Sequence, residues 1–383
     1  MGEYSKYISD KRRAVPTPKD LVDENGKVVF GTFESEFETM ELLRAKHPTK
    51  APDCLNKFKL TLWEATEVHL QNGVLLAVVC DMGIFGKQLN MFYDKRTKNV
   101  YCWDTQIKSK DTVIAPNLLN GAVAEAASDV GFVKYVNNFQ DGRADLSGKH
   151  TGKCLITPSD DRVKSDTKVI KANYGEASIE YDFKLTRISK PCVVSIPFPY
   201  SDNRTLYSQK DFFKAEGKLI INGEEMLTDD ESTAIIDDHR GYYPRRAHYD
   251  WVTTMGTCMV NGEKKWLAFN LTHNQSTNEP DFNENLIFLE GKTSILPPVK
   301  FTRSVESKDY TNYSEWTVKD EYGMVNLKFK VYGINPMIMH AGVVNIDYYV
   351  TWGELEGYLL DEDGTKYVLD GMMGMGEDKT LLL

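Results

Sequence analysis

Alternating runs of residues, punctuated by Asn-Gly and Asp-Gly pairs, limit what this chain can fold into more than any other feature. In ASIEYDFKLT (Ala177 to Thr186), Ile179, Tyr181, Phe183 and Leu185 fall on every second position. A sheet with one buried face requires that period. VNLKFKVYG (Val325 to Gly333), VVNIDYYVTWGELEGYLL (Val343 to Leu360) and KYVLD (Lys366 to Asp370) are of the same strand-like kind. Turn pairs recur at Asn25-Gly26, Asn72-Gly73, Asn222-Gly223, Asn261-Gly262 and Asp363-Gly364. Such pairs accept the positive φ of a tight hairpin. The expectation is an all-β, antiparallel, meander-like protein with few short helices. One helix is expected at SQKDFFKAEG (Ser208 to Gly217), where Ser opens and Gly stops the run, and a second within NLLNGAVAEAASD (Asn117 to Asp129).

At 383 residues the chain exceeds one small core. An internal echo divides it. The stretch from Leu62, LWEATEVHLQNGVLLAVVCDMGIFGKQLNMFYDKRTKNV, runs tryptophan, strand, Asn-Gly hairpin, "LA" strand, polar loop and aromatic strand. The stretch from Asp250, DWVTTMGTCMVNGEKKWLAFNLTHNQSTNEPDFNENLIFLEGKTSIL, repeats that order with other loop lengths. Duplication of one β unit is the economical explanation. The expected layout is an N-terminal extended segment over 1–50, a first β unit, barrel or sandwich, over 51–228 and a second over 229–383.

Charge and cysteine usage exclude several functions. A net charge of -10 argues against nucleic acid as a partner, because phosphate neutralisation needs clustered Lys and Arg. The six cysteines show neither a CxxC nor a Cys/His pair at zinc spacing, which reads as buried reduced thiols. The first residues, MGEYSKYISDKRRAVPTPKD, contain no apolar core of a secretory signal. The apolar run VLLAVVC is far short of a membrane span, and a cytoplasmic location is expected. Patterns for dinucleotide binding, phosphate binding and the Gly-x-Ser-x-Gly nucleophile elbow are all missing. No cofactor is expected.

The densest concentration of chemistry is DDHRGYYPRRAHYDW, Asp237 to Trp251. It falls where the second unit begins, and the seam between two units is a favoured ligand position. Asp238 is the first candidate for an acid, with His239 or His248 as proton relay. Tyr242 would be an orienting phenol, and Tyr243, Arg246 and Trp251 would contact substrate. The competing reading pairs Asp237 and Asp238 with Arg240, Arg245 or Arg246 as an ion-paired corner, and Tyr242 and Tyr243 as a tyrosine corner. A polar loop, NLTHNQSTNEPDFNEN, adds Asn270 and His273 at a barrel mouth. His273 has no second histidine two or four residues on, so no metal site is expected. In the first unit, Trp63, Glu64 and Trp103 are the polar and aromatic counterparts.

DDHRGYYPRRAHYDWVTTMG, LAFNLTHNQSTNEPDFNENLIFLEGK and the C-terminal GELEGYLLDEDGTKYVLDGMMGMGED together resemble the bacterial family called domain of unknown function 2804. The resemblance rests on Asp238, Arg240-Gly241-Tyr242, Trp251, Asn270 and Gly376-Glu377-Asp378, and runs from about Trp63 to Asp378. That family is distantly similar to the lipocalin-like superfamily of AttH proteins and carotenoid hydratases. The resemblance implies that the two units are tandem lipocalin-like (calycin-type) antiparallel barrels, with an Asp-His segment near the active region. It also implies a lipophilic small-molecule ligand and acid–base chemistry of the hydratase or isomerase type. Two other functions fit the composition. One is a non-catalytic carrier of a lipid, isoprenoid or aromatic metabolite, and the other is a carbohydrate-active β-sandwich with paired carboxylates.

Overall fold

The computed structural model describes residues 2–158, 173–305, 310, 314–341 and 344–382. Its first strand, β1 (Gly31–Phe33), belongs to an N-terminal segment of short 3-10 turns. An antiparallel meander follows in β2 (Thr61–His69), β3 (Gly73–Asp81), β4 (Phe85–Asp94) and β5 (Val100–Lys108). Then come β6 (Thr112–Ile114), β7 (Ala122–Ser128), β8 (Gly131–Asn138), β9 (Arg143–Thr157) and β10 (Asn173–Arg187). The first sheet is completed by β11 (Val193–Pro197), β12 (Thr205–Ile221), β13 (Glu224–Met226) and β14 (Thr233–Gly241).

The pairings of this sheet return on themselves. β12 joins β14, which joins β2, and the meander runs through β3 and β4 to β5. β5 reaches β9 through Val100, Tyr101 and Cys102, and β10 closes the ring by pairing both β9 and β12. Tyr181, Phe183, Trp103, Tyr135 and Phe213 fill the interior, all buried in one apolar cluster. Along β10 the alternation is regular: Ile179, Tyr181, Phe183 and Leu185 are buried while Glu180, Asp182 and Lys184 are exposed.

The second sheet begins with β15 (Arg246–Val260), β16 (Glu263–His273), β17 (Leu286–Leu289) and β18 (Lys292–Ile295). It continues with β19 (Lys300–Arg303), β20 (Glu315–Lys319), β21 (Val325–Ala341), β22 (Val344–Leu360), β23 (Lys366–Val368) and β24 (Met373–Leu382). Its strands lie in the order β18-β17-β16-β15-β24-β22-β21-β20-β19, every pair antiparallel. Among the described residues no ladder joins its two ends. The last strand is therefore central, laid between β15 and β22.

Two expected helices are strands. Ser208–Gly217 lies inside β12, where its backbone ladders with β10, β11 and β14. Sheet pairing on both sides overrides the weak local helix preference. Ala122–Ser128, within the second expected helix, is β7, and Asn120 and Gly121 just before it take the positive φ of a turn. Among the described residues every helix is a short 3-10 turn, and none is long and apolar enough to cross a membrane. The cysteines are free thiols, with Cys54 alone exposed.

The sheets meet over a third apolar cluster. Val74, Leu76, Val78 and Cys80 of β3 pack there against Trp251, Tyr348, Val350, Trp352 and Met375. The alternate residues Leu75, Ala77 and Val79 face the ring interior. VLLAVVC is therefore apolar throughout because both its faces are covered. Tyr93 and Trp352 stack across the seam with ring centroids 6.1 Å apart. The N-terminal segment straps the two sheets together: buried Arg12 donates to Thr32 Oγ1 at 3.0 Å and to the Asn285 carbonyl at 3.2 Å. The strand Thr233–Gly241 is laddered to β12 and β2, so the change of sheet falls between Gly241 and Arg246 instead of at 228/229.

Candidate functional site

β14 carries the start of the charged and aromatic stretch, and its alternation splits that stretch in two. Ile235, Asp237 and His239 face a cavity on the seam, whereas Ile236 belongs to the cluster filling the ring. Asp238 is fully buried on the ring side and holds Arg240 with both oxygens, at 2.7 Å to Nε and 2.9 Å to NH2. Glu64 lies directly opposite Asp238 in the β14–β2 ladder and accepts from Asn137 Nδ2 at 2.7 Å. Burial first, and the Asp238 charge second, push the Glu64 carboxyl up to about 8. Trp103 is also inside, donating to the Ala177 carbonyl at 3.2 Å. Asp238, Glu64 and Trp103 thus stand on the far side of a strand layer from the seam cavity. Tyr242 is buried and donates to the Leu42 carbonyl at 3.1 Å, while Arg246 is exposed where β15 begins.

The seam cavity is a chamber of about 80 Å³ lined by Trp63, Glu67, Lys210, His239, Tyr243, Tyr249, Trp251, Glu284, Glu377 and Lys379, among others. One wall is an ion cluster. Lys210 Nζ lies 2.8 Å from Glu284 Oε2, 2.8 Å from His239 Nε2 and 3.3 Å from Asp237 Oδ1. His239 Nε2 is 3.0 Å from Glu284 Oε2, and Asn274 Nδ2 donates to the other Glu284 oxygen at 2.7 Å. Burial works to raise the Glu284 pKa, but Lys210 and His239 overcome it and hold the carboxylate well below its usual range. Asn270 secures this wall from behind: it accepts from Trp251 Nε1 and donates to the Glu284 carbonyl at 2.7 Å.

The opposite wall comes from β24. Glu377 is buried, accepting from Tyr348 OH at 2.6 Å and Tyr249 OH at 3.1 Å. Desolvation outweighs those hydrogen bonds, and its pKa is raised. Glu67, at the end of the chamber, is pushed well above the carboxylate range by burial, and its Oε2 has no hydrogen-bond partner. Its other oxygen lies 2.6 Å from His69 Nε2, and burial drives that imidazole well below its ordinary value. Beyond the chamber the seam widens into a cleft of about 720 Å³, which also takes Trp63, Met82, Ile346 and Lys379 as lining. Volumes of 300–1,000 Å³ are usual for small-molecule pockets.

His248 and His273 stand elsewhere, over a separate cleft of about 800 Å³ against the second sheet. His248 Nε2 is 3.1 Å from Asp250 Oδ1, and that hydrogen bond raises the His248 pKa. His273 is 3.1 Å from Glu279, with the same consequence. His248, Asp250 and Asp378 offer potential metal-ligand atoms within 4.8 Å of one another. Arg303 already binds both aspartates, supplying the positive charge that a metal ion would bring.

The family model described as domain of unknown function, DUF2804, matches residues 12–381. The chain belongs to the DUF2804 family. No curated protein matches this DUF2804 chain. Two solved structures are similar to it. The crystal structure of CghA with Sch210972 shares 7% identity over 85% of this chain and 88% of that chain, at a TM-score of 0.42. The crystal structure of CghA shares 9% over 98% and 96%, at 0.40. Likeness of that degree assigns no activity to DUF2804.

The residues that sequence reasoning missed in this DUF2804 chain are Glu67, Lys210 and Lys379 as chamber residues, and Glu377 as more than part of a family signature. Each is a charged residue on a strand with both faces covered. Each also stands among polar neighbours in the sequence, so no local signal sets it apart.

Proposed function

We propose that the seam site binds a lipophilic small molecule and carries out acid–base chemistry on it with the chain's own side chains, of the hydratase or isomerase type. The observation that carries the reading is that a desolvated carboxyl, Glu377, faces the same cavity as His239 and the tyrosines Tyr243 and Tyr249. An alkene or enone takes its proton from a carboxylic acid, and desolvation raises the Glu377 pKa in the direction that favours the acid form. Glu377 gives its proton to a carbon of the double bond. His239, fixed by Glu284 and Lys210, relays away the proton lost from water in a hydration, or from a neighbouring carbon in an isomerisation. Glu67, whose carboxyl burial also holds well above its usual range, is a second candidate acid in the chamber lining.

This assignment moves the acid from Asp238 to Glu377, because Asp238 is committed to Arg240 and faces the ring interior. The orienting hydroxyls become Tyr243 and Tyr249 in place of Tyr242. The same proposal holds the two units, divided between Gly241 and Arg246, to be lipocalin-like barrels of the AttH and carotenoid-hydratase kind. It also places the protein in the cytoplasm, in keeping with its free thiols.

The chamber is too small for a whole lipophilic ligand, so the reacting end enters it while the remainder lies in the outer cleft. Glu377→Gln tests the chemistry. It should abolish turnover while preserving the ligand's effect on melting temperature; undiminished turnover would remove Glu377 as the acid. A carrier would show ligand stabilisation in both proteins and turnover in neither.

A further inference from the structure

Of the four residues that line both the chamber and the cleft, Lys379 alone is charged, and it is unlike the other cations there. Lys210 is enclosed by Glu284 and Asp237, and Lys87 pairs with Asp104 at 2.7 Å. Lys153 sits at the exposed outer rim, over the Tyr174 ring at 4.0 Å. Lys379 has no carboxylate oxygen within 4 Å among the described residues. Its ammonium lies over rings instead, 4.5 Å from the Tyr348 centroid, 5.6 Å from Tyr249 and 5.8 Å from Trp63. The nearby carboxylate on its own strand, Glu377, is taken up by the hydroxyls of Tyr348 and Tyr249. Aromatic faces stabilise a cation but cannot accept its hydrogen bonds as an anion does. Burial lowers the Lys379 pKa and outweighs the opposing charge of Glu377. The cleft beyond it is mainly apolar, with Val78, Leu89, Met337 and Ile346 in its lining beside the polar Asp104, Gln106 and His150.

We propose that the ligand of the seam site is an apolar molecule ending in a single carboxylate, its head bonded to Lys379 Nζ and its apolar body along the outer cleft. The inference rests on the seam reading above and adds the substrate class to it. One cation at the throat, flanked by rings and followed by an apolar wall, fits one acidic head and a hydrocarbon body. An ammonium-headed molecule would meet Lys379 as a like charge. An uncharged one could offer an oxygen to its donors but no opposite charge.

Dodecanoate below its micelle concentration and dodecanol below its solubility limit test the head and the body separately. Binding is read from the fluorescence of Trp63 and Trp251, which line the chamber. Wild-type protein should bind dodecanoate more tightly than dodecanol by a factor on the order of 10 to 100, the range of a hydrogen bond to a charged group. Lys379→Met should remove that preference while still binding dodecanol, and an unchanged melting temperature shows that the variant is folded. Lys379→Arg should restore most of the preference. Equal affinity for the two probes in wild-type protein, or a preference that survives Lys379→Met, would overturn the carboxylate assignment while leaving the seam site standing. Binding of neither probe would overturn the seam reading as well.

Discussion

Adjacent residues on β14 and β2 face different environments, and one position decides whether a carboxyl is structural or accessible to a ligand. Asp237 and His239 face the seam, while Asp238 and Arg240 face the ring. Opposite them, Trp63 and Glu67 face the seam and Glu64 the ring. The composition of Asp237–Trp251 marks a concentration of chemistry, but it carries no sign of which face is which. Hydrophobic alternation, the usual guide, fails here because both faces are buried and both hold polar groups. The Glu64 carboxyl offers a residue-scale prediction. Its pKa is about 4.5 in the unfolded chain and about 8 when folded, so the folded state binds more protons between those values. Stability contributed by the neutral carboxyl is fully present below about 4.5 and is lost as pH rises towards about 8. Glu64→Gln should therefore flatten the decline of unfolding free energy across that window, measured by urea titration at successive pH values. An unchanged slope would show that Glu64 titrates normally.

At the scale of elements, the turns were the most legible part of the sequence and β12 the least. Asn261 and Gly262 take φ of 52° and 85°, the left-handed pair that a two-residue hairpin between β15 and β16 demands. Nothing lies within 4 Å of a Cβ built on Gly262, so Gly262→Ala meets only the backbone penalty. It should cost about 1–2 kcal/mol, seen as a lower urea midpoint with an unchanged m-value. A neutral result would mean that the turn can relax to another type. β12 misled because Ser208, Gln209, Lys210 and Asp211 form a polar run that is wholly buried. Their partners are Glu284, Asp237, Arg187 and Glu36, drawn from four distant parts of the chain. No local window contains those contacts, so a polar run there reads as an exposed helix start. β24 illustrates the same limit. Its Glu377 and Lys379 gain their meaning from Tyr249 and Tyr348, on the strands to either side.

At the scale of the whole molecule, the all-β class and the antiparallel hairpins follow from periodicity and turns, which are local. The seam does not, because it exists only once two sheets and an N-terminal strap have come together. Tyr93 stacks on Trp352 from one sheet to the other, His239 of the first sheet meets Glu284 in the loop before β17, and Arg12 of the strap reaches Asn285. The site is built from both sides of that seam, so neither unit holds it alone. Native mass spectrometry of the protein purified from its own host tests this claim most directly, set beside Ile346→Trp, which fills the throat between chamber and cleft. The account predicts a co-purifying lipophilic molecule on the wild-type protein that is absent from the variant at the same melting temperature. A wild-type spectrum free of ligand, with no lipophilic compound raising the melting temperature, would contradict it, as would a ligand retained by Ile346→Trp.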